Sequence, residues 1–309
     1  MDAFFVYLYM KFGLIIILLS MNFSQNINFY NKDNESFADV KTKGFTFTCR
    51  VGGMQNDKGT IFLLHGFPET SRMWNDFIKV LENEGYRIIA PNQRGYSKGA
   101  RPSKVSDYTI DKLSQDVIDI ANEFNIDKFH LVGHDWGSAV GWYLASNFSD
   151  RIITWSALSV PHLDAFVYSM KNDKEQIKKS EYIKFFNKPI FPEIYFKIFS
   201  YKNLKNIWNK SSESEIISYL ETFKQRRALQ SALNWYRANF KDDESIIGDI
   251  SIPTLIIYGM NDMAIDVKSV DNSEKFLKGR YKIEKLNSGH WLIQESFEEV
   301  SKSIIEHIN

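Results

Sequence analysis

The feature that most constrains the fold is a strand, a tight turn and a helix in direct succession. Residues 129–132 are apolar and β-prone, and they lead into the turn Gly-His-Asp-Trp-Gly, in which Gly133 and Gly137 flank Asp135. A helix of small residues is predicted at 138–145. This order is typical of a nucleophile elbow, whose strained turn lifts its central residue above the edge of a sheet. The glycines are expected where a side chain would collide with the neighbouring strand or helix.

The residue at the centre of this turn is an aspartate, and this directs the chemistry. A carboxylate is already ionised at pH 7, so it can act as a nucleophile without a base. Attack by Asp135 on an sp3 carbon with a leaving group would give an alkyl ester, whose carbonyl water can then attack. A serine would instead give an ether, which has no such carbonyl. The alternative interpretation is a solvated aspartate in an ordinary glycine-rich turn.

The composition is that of a globular protein with one large domain, or one domain with an insertion. Of its 309 residues, 38 are Lys or Arg and 38 are Asp or Glu, so the formal net charge is zero. This balance gives no sign of a nucleic-acid partner. The single cysteine, Cys49, excludes an internal disulfide and a cysteine metal cluster.

Residues 1–25 form an apolar segment that we expect to lie outside the fold. If the chain starts at Met10, Lys11 supplies the charged region of a signal peptide and residues 12–19 supply its apolar run. A polar stretch where cleavage could occur follows. The pattern predicts a signal peptide, a true start at Met10, and a secreted or periplasmic protein. An uncleaved membrane anchor is the alternative, although Lys11 inside a spanning helix would cost roughly 3 kcal/mol.

Short apolar strands alternate with amphipathic helices over most of the chain. This alternation predicts an α/β fold with a mostly parallel sheet and helices on both faces. Residues 26–39 are polar and rich in asparagine, and we interpret them as a tether. Residues 171–243 contain no convincing buried strand and have helical spacing, which indicates an inserted helical cap. The predicted division is 1–25 signal peptide or anchor, 26–160 first part of the core, 161–247 helical cap, and 248–309 second part of the core.

Four predicted strand ends carry residues that would meet at one edge of the sheet, where sites lie in open α/β folds: Phe67, Asp135, Asp262 and His290. The last three follow the order nucleophile, acid, base. His290 is predicted to activate the water that attacks the ester, and Asp262 to orient the imidazole. Backbone N–H groups of Phe67 and Trp136 are the predicted oxyanion donors. Taken singly, Asp262 could be a turn residue and His290 a helix cap.

Five other histidines compete for the role of base. Four are predicted to be structural, because one belongs to the turn before Phe67, one to a strand, one adjoins the nucleophile and one is in the last helix: His65, His130, His134 and His307. His162 follows a predicted strand and remains a second candidate.

Three motifs together resemble the α/β-hydrolase branch that contains epoxide hydrolases and haloalkane dehalogenases. They are His-Gly-Phe-Pro-Glu at 65–69, Gly-His-Asp-Trp-Gly at 133–137 and Ser-Gly-His-Trp at 288–291. The resemblance extends from about residue 44 to the end of the chain. Pro-Asn-Gln-Arg-Gly-Tyr-Ser at 91–97 and Leu-Asn-Trp-Tyr-Arg at 233–237 match the epoxide-hydrolase side.

The epoxide-hydrolase group has two lid residues, usually tyrosines, that hold and protonate the epoxide oxygen. The resemblance implies Tyr236 as one of them. Glu-Tyr-Ile-Lys-Phe-Phe at 181–186 resembles the segment that bears the other and suggests Tyr182. The family commonly continues that segment with Gln, whereas this chain has Asn187. Packing is the alternative role for both tyrosines.

The resemblance implies hydrolysis of an epoxide to a vicinal diol without cofactor or metal. The expected partners are a small apolar substrate and water, with no nucleic acid and no obligate membrane partner, and the oligomeric state stays open. Haloalkane dehalogenation with the same three residues is the first alternative. A halide needs only N–H donors, and Phe67 has no side-chain donor where many dehalogenases place Asn, although Trp136 has one. A binding receptor without turnover is the second alternative, against which the complete triad argues.

Overall fold

The computed structural model describes residues 25–240 and 247–309, together with the backbone of Val6–Tyr9 and Leu14–Ile17. Those two short strands pair with each other in an antiparallel manner. The predicted signal peptide and its cleavage site otherwise lie outside the described residues. Within the described part, no helix combines the length and the apolar character needed to cross a membrane.

The strands of the described residues are, in chain order, β1 Val6–Tyr9, β2 Leu14–Ile17, β3 Ile27–Lys32, β4 Glu35–Lys41, β5 Thr46–Gly52, β6 Thr60–Leu64, β7 Arg87–Pro91, β8 Phe129–His134, β9 Ile152–Leu158, β10 Thr254–Gly259 and β11 Tyr281–Leu286. The α-helices are α1 Asn75–Asn83, α2 Ile110–Glu123, α3 Trp136–Asn147, α4 Leu163–Asn172, α5 Lys174–Lys179, α6 Glu181–Phe186, α7 Phe191–Lys205, α8 Glu213–Phe223, α9 Ala228–Asn239, α10 Val267–Asp271, α11 Leu292–Glu295 and α12 Phe297–Ile308. Four 3-10 turns lie at Ser71–Trp74, Val105–Tyr108, Ser149–Arg151 and Asn272–Phe276.

Nine of these strands form one sheet in the order β11-β10-β9-β8-β6-β7-β5-β4-β3. The pairs from β11 across to β7 are parallel, and the pairs from β7 to β3 are antiparallel. Strands β6, β8 and β10 are buried along their whole length, because helices cover the sheet. The predicted α/β fold with a mostly parallel sheet is therefore confirmed.

The prediction that residues 26–39 form a tether is wrong. They form β3 and most of β4, which pair as an antiparallel hairpin at the edge of the sheet. Asp33 and Asn34 make the turn with φ angles of 52° and 61°, which Asp and Asn tolerate better than most residues. Strand β3 is mostly exposed, so its polar composition is that of a solvent-facing edge strand.

Between β9 and β10, the described residues are mainly helical. The described residues of this stretch contain α4 to α9 and no strand. Helix α7 is interrupted, because Ile198 has an extended ψ of 157° and Phe199, Ser200 and Tyr201 all have positive φ. The helices α4, α6 and α9 from this stretch contribute side chains to the pocket that contains Asp135.

Candidate active site

Asp135 has the strained backbone of an elbow. Its φ of 52° and ψ of −120° are unusual for a residue with a side chain, and this strain costs on the order of 1–3 kcal/mol. A Cβ at Gly133 would lie 2.4 Å from the Gly137 carbonyl oxygen, and one at Gly137 would lie 2.1 Å from that of Leu64. A Cβ at Gly66 would lie 2.4 Å from that of Asp135. The predicted reason for the flanking glycines is confirmed, since no side chain fits at either place.

Backbone donors hold the Asp135 carboxylate from two sides. Its Oδ1 accepts a hydrogen bond of 2.7 Å from the Phe67 N–H, and the Trp136 N–H donates to the same carboxylate. Burial disfavours the charged form, but the hydrogen bond and positive charge of His290, together with the hydrogen bond from the Trp136 N–H, outweigh it and hold the pKa of Asp135 below its ordinary value. The side chain is therefore ionised at neutral pH, and its carboxylate already accepts hydrogen bonds from two backbone N–H groups.

His290 lies between two carboxylates. Its Nδ1 is 2.7 Å from Asp262 Oδ2, and its Nε2 is 3.5 Å from Asp135 Oδ2. Burial opposes the imidazolium, but the charges and hydrogen bonds of Asp262 and Asp135 outweigh it and raise the pKa of His290 well above its ordinary value. Asp262 Oδ1 accepts from the N–H groups of Ala264 and Ile265 at 2.7 and 3.0 Å, so this carboxylate is fixed in orientation. The structure thus brings Asp135, His290 and Asp262 together.

The backbone of His290 is held by residues that sequence reasoning did not assign to the site. The His290 carbonyl oxygen lies 2.9 Å from His134 Nε2 and accepts a 2.8 Å hydrogen bond from the Ser159 hydroxyl. His134 Nδ1 is 3.3 Å from Glu69 Oε2, and both side chains are fully buried. Gln294 donates to Glu69 at 2.7 Å. The sequence signal for this network is Glu69, an acid within an otherwise apolar turn motif.

Tyr182 and Tyr236 face the same pocket as Asp135. Their ring centroids are 6.2 Å apart, and the Tyr236 ring lies 5.0 Å from that of Trp136. Burial raises the pKa of both phenols, and the nearby Asp135 carboxylate raises them further. Both tyrosines are therefore protonated at neutral pH and can donate hydrogen bonds into the pocket.

The pocket over Asp135 has a volume of about 570 Å³, which suits a small organic molecule. Most of its lining is apolar and comes from α3, α4, α9 and the segment after β9, including Ala139, Val160, Leu163, Phe166, Met170 and Phe240. The polar groups of Asp135, Tyr182 and Tyr236 converge in this lining. The site therefore combines an apolar chamber with one carboxylate and two phenols.

A family model for the α/β hydrolase fold matches residues 59–297, which include every residue of this constellation. The chain belongs to the α/β-hydrolase family. This α/β hydrolase is 33% identical over 276 residues to the AB hydrolase superfamily protein YfhM of Bacillus subtilis, covering 87% of this chain and 96% of that protein. It is 29% identical over 280 residues to epoxide hydrolase 4 of Homo sapiens, covering 87% of this chain and 77% of the human protein.

Solved structures of α/β hydrolases have the same fold. An epoxide hydrolase from metagenomes of hot environments is 26% identical, with a TM-score of 0.76 over 87% of this chain and 98% of its own. The inhibitor complex of Bacillus megaterium epoxide hydrolase is 22% identical, with a TM-score of 0.80 over 88% of this chain and 99% of its own.

The second candidate base of this α/β hydrolase, His162, has a structural place. Its Nδ1 accepts a hydrogen bond from the Asp164 N–H at the start of α4, and its Nε2 lies 3.0 Å from the Gly248 carbonyl oxygen. Burial lowers the pKa of His162 to about 4, so it is neutral at physiological pH. Both ring nitrogens are occupied within the fold, which leaves none for a reacting water.

His65 and His130 are also engaged in the interior of the hydrolase fold. His65 Nε2 accepts from the Gln93 N–H at 3.2 Å, and His130 Nδ1 lies 2.8 Å from the Thr154 hydroxyl. Burial lowers the pKa of each to about 4. Among the described residues, no three His, Cys, Asp or Glu side chains are placed to hold a metal ion.

Proposed function

We propose that this protein hydrolyses an epoxide to a vicinal diol through an ester of Asp135. The observation that carries the proposal is the shared pocket of Asp135, Tyr182 and Tyr236. Ring opening requires a nucleophile on one side of the epoxide and acid groups for the departing oxygen. The relatives named as epoxide hydrolases support this choice of substrate class.

The first step is attack by the Asp135 carboxylate on an epoxide carbon. The new bond joins a carboxylate oxygen to carbon, the carbon–oxygen bond of the ring breaks, and the electron pair goes to the ring oxygen. An unassisted alkoxide would be a poor leaving group, so Tyr182 and Tyr236 hold this oxygen and one of them gives up its phenolic proton. The products are a hydroxyalkyl ester of Asp135 and a phenolate.

The second step is hydrolysis of that ester. Esterification removes the negative charge 3.5 Å from His290 Nε2, so the pKa of His290 falls at the stage where a base is needed. The phenolate left by the first step takes the imidazolium proton of His290 through solvent, which restores the phenol. The neutral His290 then takes a proton from water while the hydroxide adds to the carbonyl carbon of the ester. The N–H groups of Phe67 and Trp136 stabilise the resulting oxyanion. Collapse of the tetrahedral intermediate moves its remaining hydroxyl proton to the departing alkoxide, which frees the diol, and leaves the Asp135 carboxylate beside the imidazolium of His290 as in the resting protein.

Two further assignments follow from this mechanism and belong to the proposal. Asp262 orients the imidazole and stabilises its charged form, as its 2.7 Å contact with His290 Nδ1 supports. Helices α4 to α9, within the predicted cap at 161–247, act as a cap, since α6 and α9 carry the two tyrosines over the edge of the sheet where Asp135 lies.

Haloalkane dehalogenation would use the same carboxylate and histidine. A halide site needs free N–H donors, and the indole N–H of Trp136, the residue next to the nucleophile, is engaged in a hydrogen bond with Tyr236. Phe67 supplies its backbone N–H to Asp135 and has no side-chain donor. This arrangement favours a leaving oxygen held by phenols over a leaving halide.

The test is a product assay with aliphatic, aromatic and fatty-acid epoxides beside a matched set of chloroalkanes and bromoalkanes. The expected result is diol formation by the wild-type protein and none by Asp135→Asn, with no halide release by either. Halide release at the faster rate would support a dehalogenase. Binding of epoxides without any turnover would support a receptor.

A further inference from the structure

Helix α7 and its N-cap residue expose a ridge of large apolar side chains, which we call the α7 ridge: Ile190, Phe191, Ile194, Tyr195, Ile198 and Phe199. Their exposed fractions run from 39% at Ile198 to 78% at Phe199. Phe191, Ile194 and Tyr195 lie at positions i, i+3 and i+4, which share one side of a helix. A contiguous exposed apolar surface of this kind marks a contact site.

The backbone holds the end of this ridge out of the protein. Phe199, Ser200 and Tyr201 have φ angles of 48°, 54° and 64°, a left-handed conformation that side chains disfavour. A regular helix through these residues would remove this strain. The strained turn instead presents Phe199, the most exposed residue of the ridge, to the surroundings.

The chain segment that carries the α7 ridge is rich in exposed cations. Residues 184–210 contain six lysines and a single acidic residue, Glu193, although the whole chain has a formal net charge of zero. Glu193 is neutralised by Arg237, whose two terminal nitrogens lie 2.7 and 2.9 Å from its carboxylate oxygens. The lysines at the surface of this segment are exposed: Lys184, Lys188, Lys197, Lys202, Lys205 and Lys210.

We propose that the α7 ridge docks on the surface of a bilayer that contains anionic lipids. Exposed aromatic and aliphatic side chains beside several lysines are the combination that enters the headgroup region, with the cations at the lipid phosphates. A second copy of the chain is a poorer occupant, since its own lysines would face these across the contact. Such docking is reversible and agrees with the expectation of no obligate membrane partner.

The α7 ridge is continuous with the wall of the pocket through aromatic contacts. The Tyr195 ring centroid lies 5.4 Å from that of Phe185, which lies 6.1 Å from that of Phe186. Phe186 in turn lies 5.0 Å from Tyr236 in the pocket. Docking would therefore place this side of the pocket next to the lipid phase, whatever reaction the site performs.

The first test places an environment-sensitive fluorophore on the ridge of the full-length chain through Phe199→Cys. Cys49 is fully buried, so the label goes to the new position. Vesicles of phosphatidylcholine, with and without phosphatidylglycerol, are added without any substrate. The expected result is a blue-shifted emission with the anionic vesicles. The matched control is Tyr281→Cys, which is 42% exposed at the start of β11, and its emission is expected not to change.

The second test reverses the charge of the surrounding lysines. Lys188→Glu, Lys197→Glu and Lys202→Glu together are expected to weaken partition into anionic vesicles by at least about tenfold. The control combines Lys128→Glu, Lys278→Glu and Lys302→Glu, which are exposed lysines outside residues 184–210, and is expected to leave partition unchanged.

Three results would overturn the proposal. They are an unshifted label at position 199, an equal shift at position 281, and a shift that is independent of phosphatidylglycerol. The last would assign vesicle binding to another part of the full-length chain. Sedimentation that showed a dimer dissociated by Phe199→Ser would assign the ridge to self-association instead. Because no step uses an epoxide, these results are independent of the proposed reaction.

Discussion

His290 Nε2 lies 3.5 Å from Asp135 Oδ2, so the group proposed as base is in contact with the group proposed as nucleophile. In the resting protein the two attract each other as imidazolium and carboxylate, which raises the pKa of His290 and lowers that of Asp135. This contact couples the two steps of the proposed reaction. The negative charge of the Asp135 carboxylate raises the pKa of His290 and keeps it protonated. Loss of that charge on esterification lowers this pKa, so that His290 can act as a base.

The variant Asp135→Asn tests this coupling, because its amide is uncharged, as the ester intermediate is. We expect the pKa of His290 to fall in this variant, as measured by NMR titration of the imidazole. The matched control is Ser159→Ala, which removes only a hydrogen bond to the His290 carbonyl oxygen. In this control the pKa of His290 should stay above its value in Asp135→Asn. An equal pKa in wild type and Asp135→Asn would contradict the coupling.

The same contact predicts how stability depends on pH. The raised pKa of His290 contributes stability that is fully present below its ordinary value of about 6.5 and is lost as pH rises through its folded value. The lowered pKa of Asp135 contributes above its ordinary value of about 3.9 and is lost as pH falls. The excess in the free energy of unfolding of wild type over Asp135→Asn should therefore be largest between about pH 3.9 and about pH 6.5. Urea unfolding of both proteins across pH measures it, and a pH-independent difference would contradict the assignment.

Removal of either lid phenol should slow ring opening. Tyr236→Phe and Tyr182→Phe are expected to reduce the single-turnover rate of alkylation by roughly 10- to 1000-fold, judged by the loss of one oxyanion donor. Hydrolysis of the ester should be nearly unchanged, because the phenols act before it. Tyr281→Phe, an exposed tyrosine, is the control. Normal alkylation in both lid variants would remove the tyrosines from the mechanism and favour dehalogenation.

Gly137 is expected to tolerate no side chain. A Cβ there would lie 2.1 Å from the carbonyl oxygen of Leu64, which belongs to the rigid strand β6. Gly137→Ala should therefore lower the free energy of unfolding by about 1–3 kcal/mol, the range for an overpacked interior. Gly44→Ala is the contrast, since its Cβ would meet nothing within 4 Å and only its φ of 90° is unfavourable. Equal loss in both variants, measured by urea unfolding, would refute the steric explanation.

Residues 1–25 are predicted to direct export of the protein. Lys11 and the apolar run at 12–19 predict cleavage between Ser20 and Asn26. Mass spectrometry of the protein from its native host should find a mature chain that lacks residues 1–19. Recovery of the full-length chain from the soluble cytosolic fraction would count against export.

Much of the site could be predicted because its chemistry is encoded in short local motifs. The turn around Asp135 needs glycines at fixed positions, and the strand ends place Asp262 and His290 at the same edge of the sheet. The antiparallel hairpin of β3 and β4 was not predicted, because a mostly exposed edge strand has the composition of a polar loop. Such a strand is specified by its pairing with a neighbour.

The buried support of His290 was also not predictable. His134 and Ser159 reach its carbonyl oxygen from positions 156 and 131 residues away in the chain. No local spacing records such contacts, which depend on how strands and helices are brought together. The sequence shows Glu69 only as an acid within the turn motif at 65–69, and its contact with His134 depends on the fold.

The most direct test of the account is the mass of His290→Gln after exposure to a reactive epoxide. In the proposed mechanism, Asp135 performs the first step without a base, whereas the second step needs His290 to activate water. The variant should therefore gain the intact mass of one substrate molecule, and peptide mapping should place the adduct on Asp135. Asp135→Asn should gain no mass. An unmodified His290→Gln, or an adduct on any other residue, would contradict an Asp135 ester as the intermediate.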